Sequence, residues 1–74
     1  MNPEDRENLA RFLTAKRREE KITQQQVADY IGCHISQVQA FEYRPETNRK
    51  IQTYFDYAEA IGMQLTFGVK PLGS

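Results

Sequence analysis

Cys33 and His34 are the only cysteine and the only histidine of the chain, and they stand side by side. A thiol next to an imidazole invites a nucleophile–base reading, but adjacent residues in a turn seldom aim their side chains at each other. The chain has no paired carboxylates in an apolar setting and no glycine-rich loop to cradle a phosphate. A zinc ion needs four ligands, and these two residues leave the set unfilled. The pattern points away from catalysis and from a bound metal or cofactor. What the sequence offers is recognition chemistry. In the stretch from Ile35 to Phe41, helical periodicity turns Val38 and Phe41 inward and leaves Ile35, Ser36, Gln37, Gln39 and Ala40 outward. None of these five is charged. Glutamine amides match the donor and acceptor that adenine shows in the major groove, and a serine hydroxyl can bond either way. Ile35 and Ala40 suit a thymine methyl. The alternative is an uncharged face that meets only solvent.

Such a face needs helices to position it. Asn2 can cap a first helix, with Pro3 in its first position and Glu4 and Asp5 at its positive end. Leu9, Phe12 and Leu13 give that helix an apolar face, and the run from Lys16 to Lys21 reads mostly as solvated charge. Thr23 and Gln26 have capping-box spacing for a second helix, with Val27, Ala28 and Ile31 inward and Gly32 as its left-handed stop. The third helix spans roughly Ile35 to Tyr43 and ends at Arg44-Pro45, because the residue before proline avoids the helical region. After a loop, Asn48 is a good cap for a fourth helix, in which Ile51, Tyr54, Phe55, Ala58 and Ile61 recur at helical spacing and Gly62 is the stop. The period then changes to two. Met63, Leu65, Phe67 and Val69 alternate with Gln64, Thr66, Gly68 and Lys70, the mark of a half-buried strand. A lone strand leaves its backbone groups unpaired, and the economical remedy is the same strand of a second copy across a two-fold axis. The alternative is a tail, or a strand lying unpaired on the helices. The expected organisation is a helical domain over 1–62, a dimerisation strand over 63–70 and a disordered tail over 71–74.

Size and charge bear on partners. A chain of 74 residues builds a core that rarely supplies more than about 3–5 kcal/mol. With one cysteine there is no internal disulfide, so a second subunit is the expected staple. One cysteine also suits a reducing compartment. The N-terminus has no basic segment followed by an apolar run, and no stretch approaches the ~20 apolar residues of a membrane span. The expectation is a soluble, cytoplasmic protein. The net charge is zero and the pI is near 6.6, which taken alone disfavours a nucleic-acid partner. Distribution matters more than the sum. Acids gather at Glu4, Asp5 and Glu7 and again at Asp56 and Glu59, whereas Arg44, Arg49 and Lys50 gather in the middle stretch, beside His34.

The segment from Thr23 to Glu42 resembles the helix-turn-helix of the Cro/C1-type family of DNA-binding repressors. The resemblance lies in Thr23-Gln24, Val27-Ala28, the turn glycine Gly32, Val38 and Phe41-Glu42. It reaches upstream to Arg17 and downstream to Ala58-Glu59-Ala60-Ile61-Gly62, and so covers most of the chain from about Leu9. It implies an all-α fold, a lambda-repressor-like domain of four to five helices, with the period-two segment added as one C-terminal β-strand that pairs across a dimer. It implies that His34, Ile35, Ser36 and Gln37 read bases at the start of the third helix, with Ala40 one turn on and Gln39 directed more toward the backbone. Gln24 would bond a phosphate from the second helix, its alternative being simple capping. Tyr43, Arg44, Asn48, Arg49 and Lys50 would grip the phosphate backbone, their alternative being ordinary surface polarity. Arg17 and Glu42 would form a salt bridge between the first and third helices.

Two departures stand out. The loop from Tyr43 to Asn48 lacks the family's usual glycine after the glutamate, and Cys33-His34-Ile35 is an uncommon turn. The short proline-bearing loop, Thr53-Tyr54-Phe55 and the segment from Met63 to Val69 are most similar to HipB-type antitoxins. That narrower resemblance implies a homodimer that represses its own operon at a palindromic operator in double-stranded DNA, with a kinase-like toxin as partner. A phage-type repressor, a controller of a restriction–modification operon, and a protein-interaction module without DNA binding are the alternatives.

Overall fold

Asn2 holds an extended conformation, and its side-chain oxygen accepts the Asp5 N–H at 2.8 Å. This cap and Pro3 start helix α1 (Pro3–Glu19). In the computed structural model, which describes residues 2–63, three more helices follow: α2 (Gln24–Ile31), α3 (Ile35–Tyr43) and α4 (Ile51–Ala60). The described residues are all-α. The expected strand, with Leu65, Phe67 and Val69, and the expected tail lie outside the described residues.

Each boundary has a local cause. Thr23 accepts the Gln26 N–H at 3.0 Å while the Gln26 side chain accepts the Thr23 N–H at 2.7 Å, so the capping box at α2 is closed in both directions. Gly32 takes φ 83° after α2, and Gly62 takes φ 75° after α4. Past α4, the Met63 and Gly62 N–H groups return to the carbonyls of Ala58 and Glu59 at 2.8 and 3.0 Å. That reverse pairing satisfies two carbonyls the helix itself leaves open. It also folds Met63 back against the core. Asn48 does not cap α4. Lys50 holds the cap position with no side-chain bond, and the Asn48 side-chain oxygen accepts from Arg6 Nη1 instead, tying the loop to α1.

The core gathers where α2 packs on α3 and α4, and α1 closes the far side against α3 and α4. Its largest members are Phe41, Tyr54, Tyr57, Leu13 and Val27. Phe41 stacks on Tyr57 with centroids 4.6 Å apart and meets Tyr54 edge-on at 5.5 Å. The inward faces differ in part from the apolar stripes of the sequence. On α1 the buried stripe is Ala10, Leu13, Thr14 and Arg17, while Phe12 is 46 % exposed beneath Lys16. Two of those four are polar, so hydropathy alone favours the neighbouring stripe. Thr14 tolerates burial because its hydroxyl donates to the Ala10 carbonyl at 2.8 Å. On α4, Tyr57 is buried and Ile51 is exposed, because Tyr54, Tyr57, Ala58 and Ile61 form the stripe that faces Phe41. Ile31 is half-buried at the end of α2.

The Tyr54 hydroxyl is buried and has no hydrogen-bond partner among the described residues. An unpaired buried hydroxyl costs about 1–3 kcal/mol. Tyr54→Phe keeps the ring and removes the cost, so it should raise stability by about 1 kcal/mol and the melting midpoint by several degrees. A thermal melt showing an unchanged or lower midpoint would contradict this.

Candidate nucleic-acid interface

Residues 32–34 connect α2 to α3. The Gly32 and Cys33 N–H groups both donate to the Ala28 carbonyl, at 2.8 and 3.0 Å, which fixes the direction in which the chain leaves α2. His34 then caps α3: its Nδ1 accepts the Ser36 N–H at 3.1 Å and lies 2.9 Å from the Ser36 hydroxyl. An accepting Nδ1 places the ring proton on Nε2, which is left as a donor.

Val38, Phe41 and Glu42 are the buried residues of α3. Ser36, Gln37, Ala40 and Tyr43 are exposed, and Ile35 and Gln39 are half-buried at the edges. The outward strip of α3 is therefore uncharged along its length. Gln39 leans toward α2, its amide nitrogen 3.5 Å from the Gln24 side-chain oxygen. Gln24, in the first turn of α2, donates to Glu42 Oε1 at 2.9 Å and to the Tyr43 hydroxyl at 3.4 Å. Gln24, Gln39 and Tyr43 thus form one polar group where α2 begins beside α3.

The basic residues of the loop divide. Arg44 and Lys50 are exposed. Arg49 is half-buried and turned inward: Nη2 donates to the Ala40 carbonyl at 2.7 Å and Nη1 to the Arg44 carbonyl at 2.9 Å. Its guanidinium also stands 5.2 Å from the centre of the Phe41 ring. Arg49 closes the C-terminal end of α3, where the helix dipole favours a cation. The structure gives it hydrogen-bond partners at the end of α3. Asn48 is likewise occupied by Arg6.

Behind the strip lies a single buried carboxylate. Glu42 Oε2 accepts from Arg17 Nε at 2.6 Å and from the Tyr57 hydroxyl at 2.6 Å. Oε1 accepts from Arg17 Nη2 and from Gln24, both at 2.9 Å. A carboxylate has about four lone-pair sites, and all four are used. Arg17 also donates to the Ile22 carbonyl at 2.7 Å, in the α1–α2 connection. One side chain from each of the four helices therefore meets at Glu42. Sequence reading reached Arg17 and Glu42 and missed Tyr57 and this use of Gln24. The available signal was the acceptor count, since a fork of two Arg17 bonds leaves two lone pairs unserved.

The charges follow. Burial pushes the Glu42 carboxyl up, but the hydrogen bonds from Arg17, Tyr57 and Gln24, with the Arg17 charge, outweigh it and hold the group below its ordinary value. The hydrogen bond to Glu42 raises Arg17 against the opposing effect of burial. Burial, and then the bond to Glu42, push the Tyr57 phenol far above its ordinary value. The signs give a plateau. Glu42 has a lowered folded value, so its contribution is complete above the unfolded carboxyl range and is lost as pH falls through the folded value. Tyr57 has a raised folded value, so its contribution is complete below the unfolded phenol range and is lost as pH rises through it. Stability contributed by this network should be flat between about pH 5 and pH 9 and fall on both sides. Denaturant titrations across that range check this, and in Tyr57→Phe the alkaline fall due to the phenol should disappear.

Set beside models of protein families, curated proteins and solved structures, the chain matches none of them.

Proposed function

We propose that this chain is a sequence-specific double-stranded DNA-binding transcriptional repressor, with α2 and α3 as the helix-turn-helix of a lambda-repressor-like domain. The observation that carries the reading is the outward strip of α3. Ser36, Gln37 and Ala40 are exposed, uncharged and consecutive along one face, a composition suited to base edges. His34, Ile35 and Gln39 flank it. Gln24 at the start of α2, the Tyr43 hydroxyl, and exposed Arg44 and Lys50 would hold the phosphates beside such a helix.

The rest of the reading rests on sequence. Residues 63–70 would pair with the same segment of a second copy, placing two α3 strips on a palindromic operator. A cytoplasmic antitoxin that represses its own operon and binds a kinase-like toxin is the preferred role. A protein-interaction module without DNA binding is the second reading, favoured by the zero net charge.

Selection of bound duplexes from a random pool tests the proposal, followed by a salt titration on the selected site. The expected product is a two-fold symmetric site. Affinity should fall as salt rises, with a log–log slope of roughly −3 to −4 if Arg44 and Lys50 of two protomers neutralise about four phosphates. A pool that yields no enriched sequence, with no binding at low salt, would sink the DNA reading and leave the interaction module.

A further inference from the structure

A pocket of about 180 Å³ opens between the α2–α3 turn, α3 and α4. Its floor is apolar and aromatic, made by Val38 and the stacked pair Phe41 and Tyr57, all buried. Its rim is polar: the Gln37 amide, the Thr53 hydroxyl and the Asp56 carboxylate. Asp56 Oδ1 accepts from Gln52 at 2.9 Å. Among the described residues that line the pocket, none is basic. The space compares with the roughly 150 Å³ of a cavity that holds one benzene ring.

We infer that this pocket binds a small aromatic ammonium ligand, its ring on the Phe41–Tyr57 floor and its charged head at Asp56. Two independent features select that class. An apolar floor favours a hydrocarbon ring over a polar body. A carboxylate with no basic neighbour on the rim favours a cation over an anion or a neutral head. Gln37 belongs both to this rim and to the outward strip of α3. The site itself stands without the DNA-binding reading, and its test contains no DNA.

The test is titration of the isotope-labelled full chain with 2-phenylethylammonium and, separately, neutral 2-phenylethanol, followed by amide NMR shifts. Saturable shifts centred on Cys33, Gln37, Thr53 and Asp56 are expected, with a dissociation constant for the amine on the order of 1 mM. The alcohol should bind about two- to fivefold more weakly, the loss of one exposed charge contact. Asp56→Asn retains the acceptor for Gln52 and should bring the amine to the level of the alcohol while leaving the alcohol unchanged. Thr53→Phe fills the pocket from the α4 side and should abolish both titrations. If that variant does not fold, the Asp56→Asn comparison still decides. Shifts that do not saturate, shifts centred elsewhere, or equal binding of the two probes would overturn the inference.

Discussion

Glu42→Ala is expected to leave the chain largely unfolded at room temperature. The substitution removes an acceptor on which four hydrogen bonds converge. The Arg17 side chain stays buried, only 10 % exposed, with its charge uncompensated. Removing one partner of a buried ion pair costs about 3–5 kcal/mol, and the stranded Tyr57 hydroxyl adds about 1–3 kcal/mol. A core of this size supplies roughly 3–5 kcal/mol in all. The loss therefore matches or exceeds what holds the domain together. Far-UV circular dichroism should show most of the helix signal gone, and no cooperative melt should remain. Replacing both partners with apolar residues, Arg17→Met with Glu42→Leu, should recover part of the stability, because no charge is then left without a partner. A Glu42→Ala variant that melts within about 1 kcal/mol of the parent would show that the buried network contributes little.

Ala40→Glu is the counterpart: folding intact, binding lost. Ala40 is exposed, and its position in α3 accepts a good helix former. The change in stability should stay within about 0.5 kcal/mol. On the proposed reading, the new carboxylate faces a groove rich in acceptors between two rows of phosphates. Like-charge juxtaposition of that kind costs several kcal/mol, equivalent to at least a hundredfold loss of affinity for the selected duplex. Fluorescence anisotropy at low salt measures it, with a melt of the same sample as the control for folding. Binding within about threefold of the parent, in a folded variant, would place the DNA contact elsewhere on the molecule.

Sequence legibility tracked locality. The capping box at Thr23 and Gln26, the left-handed Gly32 and the span of α3 from Ile35 to Tyr43 depend on neighbours a few residues away, and the sequence was enough to place them. The all-α character of the described residues follows from the same periodicities. The inward face of α4 was harder. Ile51, Tyr54, Phe55, Tyr57, Ala58 and Ile61 are all apolar or aromatic, so two overlapping stripes fit equally well. Packing against Phe41 and Glu42, residues from another helix, decides between them. On α1 the buried stripe includes Thr14 and Arg17, whose burial is tolerable only through partners that no local window contains. Arg49 shows the same limit for charge. A basic residue after a helix reads as a surface cation, and only the path of the loop brings it back onto the Ala40 carbonyl.

The arrangement at Glu42 also bears on how the molecule opens. Small helical domains commonly open in pieces, with a terminal helix leaving while the others persist. Here the departure of α1, α2 or α4 would each withdraw a donor from the same buried carboxylate, and the departure of α3 would withdraw the carboxylate itself. No helix can detach without exposing the hub to water or leaving it short of partners. Partial openings therefore approach the free energy of complete unfolding. The four helices should behave as one cooperative unit, and hydrogen exchange is expected to show the slowest amides of α1, α3 and α4 at a single protection level in place of a graded series.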